Sequence, residues 1–344
     1  MSEDVRTKLQ ASASGQNMRK RQSPKRKPLK KKEQVQEPTV EIQPIEYETQ
    51  AIEETANVLF KPNPGPQTDF LAAAEREVLY GGSAGGGKSY AMLSDPLRYM
   101  GHPAFSGLLL RHTTEELREL VFKSQELYPK IWPGIKWSER KMQWTAPSGA
   151  RLWMSYLDRD DDVLRYQGLA FSWIGFDELT QWATPYAWNY MRSRLRSTAA
   201  DLPIYMRATT NPGGRGHHWV KKMFIDPAPY NRAYDATDIE TGEVLRYPAG
   251  HAKAGRPLYK RRFIPARLSD NPYLAESGDY EAMLLSMPEQ QRRQLLDGDW
   301  DIKEGAAFTE FDRNIHVIEP FDIPSNWVKF RACDYGYGSK SGVV

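Results

Sequence analysis

Cysteine is all but missing from this sequence: Cys333 stands alone among 344 residues. No intrachain disulfide can form, which excludes the stapled secreted scaffolds and suits a reducing compartment. Long apolar runs are missing too. None approaches the roughly 18 residues that suggest a membrane span, and the N-terminus lacks the apolar stretch of a secretory signal. The sequence reads as that of a soluble intracellular protein with no membrane among its partners. Nor does one sign of charge dominate: 47 lysines and arginines against 44 aspartates and glutamates leave a net charge of +3. That balance excludes little, so the distribution of charge has to be read instead. What is present is ample apolar content with ten tryptophans, on a chain long enough for two domains or one large one with appendages.

The most informative stretch is Glu77-Val-Leu-Tyr-Gly-Gly-Ser-Ala-Gly-Gly-Gly-Lys-Ser-Tyr90. It fits G-x-x-x-x-G-K-[ST] with Gly82, Gly87, Lys88 and Ser89, after a short apolar strand and before a helical run that Pro96 interrupts. In that context, glycines such as Gly82, Gly85, Gly86 and Gly87 let the backbone curl until successive N–H groups face phosphate oxygens. The start of the following helix adds partial positive charge. Lys88 then reaches the β- and γ-phosphates of ATP, and Ser89 holds Mg²⁺. A second signal is Phe171-Ser-Trp-Ile-Gly-Phe-Asp-Glu178, an apolar strand ending in two carboxylates. Downstream of a phosphate loop it reads as a Walker B pair, with Asp177 on the metal and Glu178 accepting a proton from the attacking water or orienting it. A third strand, Pro203-Ile-Tyr-Met-Arg-Ala-Thr-Thr-Asn-Pro212, ends in hydroxyls and an amide. Thr209, Thr210 and Asn211 are placed there to sense the γ-phosphate, or they are turn chemistry ahead of Pro-Gly-Gly.

Around these motifs the chain divides unevenly. Residues 1–48 read as a disordered tail, basic from Arg19 to Lys32 and then acidic, either gripping nucleic acid or simply solvated. Residues 49–225 read as the ATPase core, 226–322 as a small lid or linker, and 323–344 as the beginning of a further domain. Within the core, Thr68 or Asp69 is expected to cap a helix over 70–76. Gln67 offers an amide that matches the N6 and N7 edge of adenine, or is an ordinary surface glutamine. Ser106–Arg111 reads as a buried strand, a helix starts at Thr113 or Thr114, and segments flanking Pro147-Ser-Gly149 form a hairpin. Arg192, Arg194 and Arg196 on one helix face DNA, a neighbouring subunit or solvent. His217 and His218 lack companion ligands for a metal. The strand around Tyr259–Pro265 is expected in the lid, and Asp334 ends a late strand where a metal-binding carboxylate would sit. Strands alternating with helices, each ending in a polar residue, argue for an α/β fold with a mainly parallel sheet and ligand at the strand C-termini.

The ordered set resembles the large terminase subunit of tailed bacteriophages, the motor that packages DNA into procapsids. It comprises Pro66-Gln67, Gly81 to Ser89, Ile174 to Glu178, Ala208 to Gly214 with His218-Trp-Val-Lys, and Leu296-Asp-Gly-Asp-Trp300. The resemblance implies a P-loop NTPase with a lid, followed by a ribonuclease H-like nuclease domain. It makes Gln67 the adenine contact, Lys88, Ser89 and Asp177 the ATP–Mg²⁺ site, Glu178 the catalytic carboxylate, and Thr209 to Asn211 the coupling motif. Asp334 matches the first nuclease metal ligand, and the remaining nuclease carboxylates are not among these 344 residues, so DNA cleavage is not expected. Some relatives carry an arginine within the phosphate loop; here that loop has none. Arg165, in Leu164-Arg-Tyr-Gln-Gly168, resembles a trans-acting arginine finger, or it is a surface salt bridge, and Arg111 is the second candidate. The implied partners are double-stranded DNA, a homo-oligomeric ring, the portal and the small terminase subunit, in the host cytoplasm. The rival classes are another nucleic-acid ATPase, such as a helicase or recombination ATPase, and a DNA-binding assembly protein that no longer hydrolyses nucleotide.

Overall fold

The computed structural model describes residues 60–302 and 324–328 and, for the backbone alone, the short strands at 333–334 and 342–343. The basic tail and most of the expected nuclease portion lie outside the described residues. The chain divides into two units, Met1–Ala56 and Asn57–Val344, and everything described belongs to the second.

A nine-stranded sheet organises that unit. Its strands are β1 (Glu77–Gly82), β2 (Ser106–Arg111), β3 (Lys136–Ser138), β4 (Gln143–Thr145), β5 (Arg151–Tyr156), β6 (Trp173–Phe176), β7 (Tyr205–Thr210), β8 (Ala233–Asp235) and β9 (Lys260–Ala266). They lie in the order β3-β4-β5-β2-β6-β7-β1-β9-β8. The run from β5 to β9 is parallel, and antiparallel strands close both edges. A separate antiparallel pair joins β10 (Cys333–Asp334), which carries Asp334, to β11 (Gly342–Val343).

The central strands are apolar because both faces are covered. Successive side chains point to opposite faces, so Leu108 and Leu110 of β2 join one core with Ile174, Phe176, Met206 and Trp188. Leu109 joins the other with Trp173, Met154, Leu120 and Tyr128. The helices covering these faces are α1 (Pro66–Ala72), α2 (Lys88–Ser94), α3 (Thr114–Ile131), α4 (Tyr186–Arg192) and α5 (His217–Val220). Later come α6 (Pro272–Ala275), α7 (Asp279–Leu285) and α8 (Glu289–Arg292). The start of α3 is as expected: Thr113 caps it, its Oγ1 accepting the Glu116 N–H at 3.3 Å. The hairpin is also found, with Gln143 opposite Trp153 and Thr145 opposite Arg151. Among the described residues no helix is long and apolar enough to cross a membrane.

Three expectations are corrected. The helix after Gly65 begins at Pro66 rather than Phe70, because a proline in the first turn needs no N–H partner; Thr68 donates to the Asn63 carbonyl instead of capping. Arg192 turns largely inward: with Arg261 it holds the fully buried Glu77 carboxylate at the start of β1. Finally, β9 is no lid strand. It pairs with β1 along its whole length, Glu77 opposite Arg261 and Gly82 opposite Ala266. Its opening Lys-Arg-Arg hides a core strand, since Arg261 is buried only because Glu77 neutralises it.

Candidate nucleotide site

The parallel strands set their C-terminal ends along one edge, and the sequence's chemistry collects there. Beyond β1, the chain passes under β9, where the Ser83 N–H donates to the Ala266 carbonyl at 2.8 Å. Gly82 is required at this crossing: its φ is +143° and a Cβ would stand 2.2 Å from that carbonyl oxygen. The loop closes at Gly87, left-handed at φ 76°, and α2 begins at Lys88. Lys88 is buried and its ammonium donates to the Ser83 carbonyl at 2.6 Å, across the mouth of the loop. Burial pulls its pKa down, while the carboxylates of Glu178 and Asp177 oppose that. The Ser89 side chain is half-buried and has no partner among the described residues.

Asp177 sits just past β6, with its N–H donating to Leu110 of β2. Both carboxylate oxygens have neighbours. Thr209, from β7, donates its hydroxyl to Oδ1, and Arg111, from the end of β2, brings Nε to 3.0 Å of Oδ2. The latter approach lacks hydrogen-bond geometry, so Oδ2 is a buried acceptor without a donor. Glu178 follows in the left-handed region, φ 59° and ψ 57°, a conformation that costs a non-glycine residue about 1 kcal/mol or more. Its side chain reaches Asn211, whose N–H donates to Oε2 at 3.4 Å. Burial, and then the Asp177 charge, push the Glu178 carboxyl above its ordinary range, with Lys88 and Arg111 acting against them. A base with a raised pKa is better matched to accepting a proton near neutral pH.

Thr209 and Thr210 do different work. Thr209 belongs to Asp177, whereas Thr210 shares a 2.7 Å hydroxyl contact with Thr180 and accepts the Thr180 N–H at 3.2 Å. The segment just after the carboxylates is thereby tied to the end of β7. The Asn211 Oδ1 atom, buried beside Glu178, has no partner. Thr180 was not singled out in the sequence, and nothing in its local pattern marks it. Its role arises from two neighbouring strand ends.

Gln67 is not the ordinary surface glutamine that the sequence left open. It is buried, its Oε1 accepts the Asn63 N–H at 2.6 Å, and its Nε2 donates to the Gly87 carbonyl at 2.9 Å. Its amide is engaged with main chain on both sides. Arg165 lies away from the loop, at the end of a 3₁₀ turn over Asp160–Tyr166. It bonds the carbonyls of Tyr156 and Asp162, faces the Asp162 carboxylate at 3.3 Å, and leaves 46% of its side chain exposed. Both His217 ring nitrogens have partners, the Gly213 N–H and the Trp300 carbonyl. Among the described residues no group of three potential ligands could hold a metal.

A parallel sheet of this order, with a glycine loop after one inner strand and paired carboxylates after another, defines an α/β protein built to take a ligand at the strand C-termini. The chain belongs to the terminase large subunit family: the family model described as terminase large subunit, T4-like-virus type, N-terminal part, matches residues 79–315. The fold is similar to the large terminase of a thermophilic bacteriophage solved with ADP, at a TM-score of 0.51 and 17% identity, over 80% of this chain and 62% of that one. Another crystal form of the same phage's terminase gives 0.50 and 18%, over 80% and 63%. The ATPase domain of the Thermus phage P74-26 large terminase gives 0.44 at 13%, over 70% and 94%. This chain therefore spans 62% of the length of the ADP-bound terminase, and at such identities the likeness is one of fold. No curated protein matches the sequence.

Proposed function

We propose that this chain is the ATP-hydrolysing part of a viral DNA-packaging motor, acting in the host cytoplasm as one subunit of a ring that draws double-stranded DNA into procapsids. The observation that carries the reading is one edge of one sheet, where the glycine loop, Lys88, Asp177, Glu178 and Asn211 converge. The residues present fit Mg²⁺: the buried Asp177 Oδ2, which has the Arg111 charge beside it but no hydrogen-bond donor, and the unpartnered Ser89 hydroxyl are oxygen donors of the kind that ion takes. Bound there, it would neutralise charge on the β- and γ-phosphates.

The chain's own groups do the rest. Loop N–H groups and Lys88 hold the phosphates, and Lys88 exchanges the Ser83 carbonyl for phosphate oxygens. Glu178 orients the attacking water and takes its proton, and the Asn211 N–H fixes the carboxylate that does so. Asn211 Oδ1, with no protein partner, is free to bond that same water. Thr210 and Thr180 carry any movement at the strand end into the segment after Glu178, which is the physical basis for coupling to DNA movement. The portal and small terminase subunit are the further partners this reading carries.

Steady-state ATP turnover tests it. The parent chain should hydrolyse ATP; Glu178→Gln should lower kcat by at least about 100-fold with nucleotide binding retained; Lys88→Ala should weaken binding and turnover together. Protection of DNA from nuclease, dependent on added procapsids and ATP, tests the packaging role. Unchanged turnover in both variants would sink the site assignment, and strand separation on a forked duplex without procapsid dependence would favour a helicase.

A further inference from the structure

Three consecutive carbonyls of the glycine loop are gripped from outside by side chains from three parts of the chain. Asn271 Nδ2 donates to the Gly85 carbonyl at 2.6 Å, Tyr80 Oη to that of Gly86 at 2.7 Å, and Gln67 Nε2 to that of Gly87 at 2.9 Å. Gly87 also accepts the first helical bond, from the Ala91 N–H at 3.2 Å. The three grips brace one another. Asn63 gives its N–H to Gln67 Oε1 and brings its side-chain amide to 3.5 Å from Asn271 Oδ1. Tyr80 stacks at 5.2 Å on Phe70, which shares α1 with Gln67. Burial, with Asp270 adding to it, raises the Tyr80 phenol's pKa, so it stays a donor throughout the working pH range.

The consequence follows from peptide geometry. In a planar trans peptide, the carbonyl of one residue and the N–H of the next point in opposite directions. Holding the carbonyls of Gly85, Gly86 and Gly87 outward therefore turns the N–H groups of Gly86, Gly87 and Lys88 to the opposite, concave side. Those three have no acceptor among the described residues, whereas the N–H groups of Ser83 and Ala84 are given to Ala266 and Leu295. We infer that Gln67, Tyr80 and Asn271 form a three-point brace of positioning residues that pre-sets three adjacent N–H donors for the phosphates of a nucleoside di- or triphosphate. On this inference Gln67 serves the phosphate loop. The inference rests on the ATPase reading above and assigns that site's affinity to residues outside the loop.

Preorganised donors act on ground state and transition state alike, so loss of one should raise KM and leave kcat unchanged. The experiment is calorimetric binding of ADP, GDP and inorganic tripolyphosphate, with Mg²⁺, to the full 344-residue chain and to Tyr80→Phe, Asn271→Ala and Gln67→Ala, together with ATP kinetics for each. Each variant should bind all three probes about 3- to 10-fold more weakly, the loss expected of one hydrogen bond. KM for ATP should rise by a similar factor at constant kcat. Tyr80→Phe removes one oxygen and keeps the ring on Phe70, and Asn271 is only half-buried, so these two variants keep the fold. Parent-like affinity in both would overturn the brace, and so would a fall in kcat at unchanged KM, the sign of a smaller active fraction. Loss of ADP but not GDP binding in Gln67→Ala would return that residue to the base. A parent chain that binds no nucleotide would instead strike the ATPase reading, and the brace with it.

Discussion

Glu178 combines two costs that a purely structural residue would shed, a left-handed backbone and a half-buried carboxylate beside another. Both are separable by substitution. Glu178→Ala and Glu178→Gly each remove the carboxylate, and only glycine relaxes φ 59°. Urea denaturation should find Glu178→Gly the more stable of the two by about 1 kcal/mol, with ATP turnover abolished in both. Equal stabilities would mean that the backbone is not strained there. The pKa direction makes a second prediction. Burial and Asp177 raise the carboxyl, so its basic form is lost as pH falls through a value above the ordinary carboxylate range. The acid limb of kcat should therefore lie above that range, and the residual rate of Glu178→Gln should lack the limb. A limb at the ordinary value of about 4.3 would contradict the burial argument.

At the scale of the element, β1 is decisive because its two ends do opposite things. Its C-terminus releases the glycine loop, and its N-terminus is anchored by Glu77 between Arg192 of α4 and Arg261 of β9. Burial alone would raise the Glu77 pKa, yet the two arginines outweigh it and hold the carboxyl below its ordinary value. A depressed folded-state pKa contributes stability present above the unfolded value and lost as pH falls through the folded one. Glu77→Gln leaves both guanidiniums without their charge partner and should cost about 3 kcal/mol, read as a lower urea midpoint at pH ~7. That cost should shrink as pH falls below the ordinary glutamate range, and a pH-independent difference would refute the ion-pair account. The same element shows what the sequence could tell. The strands β1, β2, β6 and β7 were legible because each is an apolar run ending in chemistry, and buried parallel strands need little else. Asp177, Glu178 and Lys88 were legible for the same local reason. The place of β9 was not, because Lys260, Arg261 and Arg262 disguise a core strand until Glu77, far away in sequence, is placed beside Arg261. The grips of Gln67 and Asn271 on the glycine loop are not legible in the sequence, since their partners there are main-chain carbonyls, which no side-chain pattern records.

On the ring reading, the cation that meets the transferring phosphoryl group comes from a neighbouring chain, and the strand order bears on which arginine can supply it. Arg111 is already paired with Asp177. Arg165 bonds the Tyr156 carbonyl at the end of β5, and β2, β6 and β7 lie between β5 and β1. Four strand spacings of about 4.8 Å put that anchor roughly 19 Å from the strand that bears the loop, beyond the reach of any side chain. Arg165 therefore has no route to its own chain's phosphates, while its exposed guanidinium can meet those of a neighbour. On the ring reading, Arg165→Ala should lower turnover by about 1,000-fold or more, the scale of a lost arginine finger, with nucleotide affinity little changed. Mixing Arg165→Ala with Glu178→Gln should restore part of the rate, because one class of interface then joins an intact Arg165 to an intact Glu178. Turnover per subunit of the parent should also fall on dilution, as rings dissociate. No recovery on mixing, with a rate per subunit independent of concentration, would return Arg165 to the surface pair it makes with Asp162.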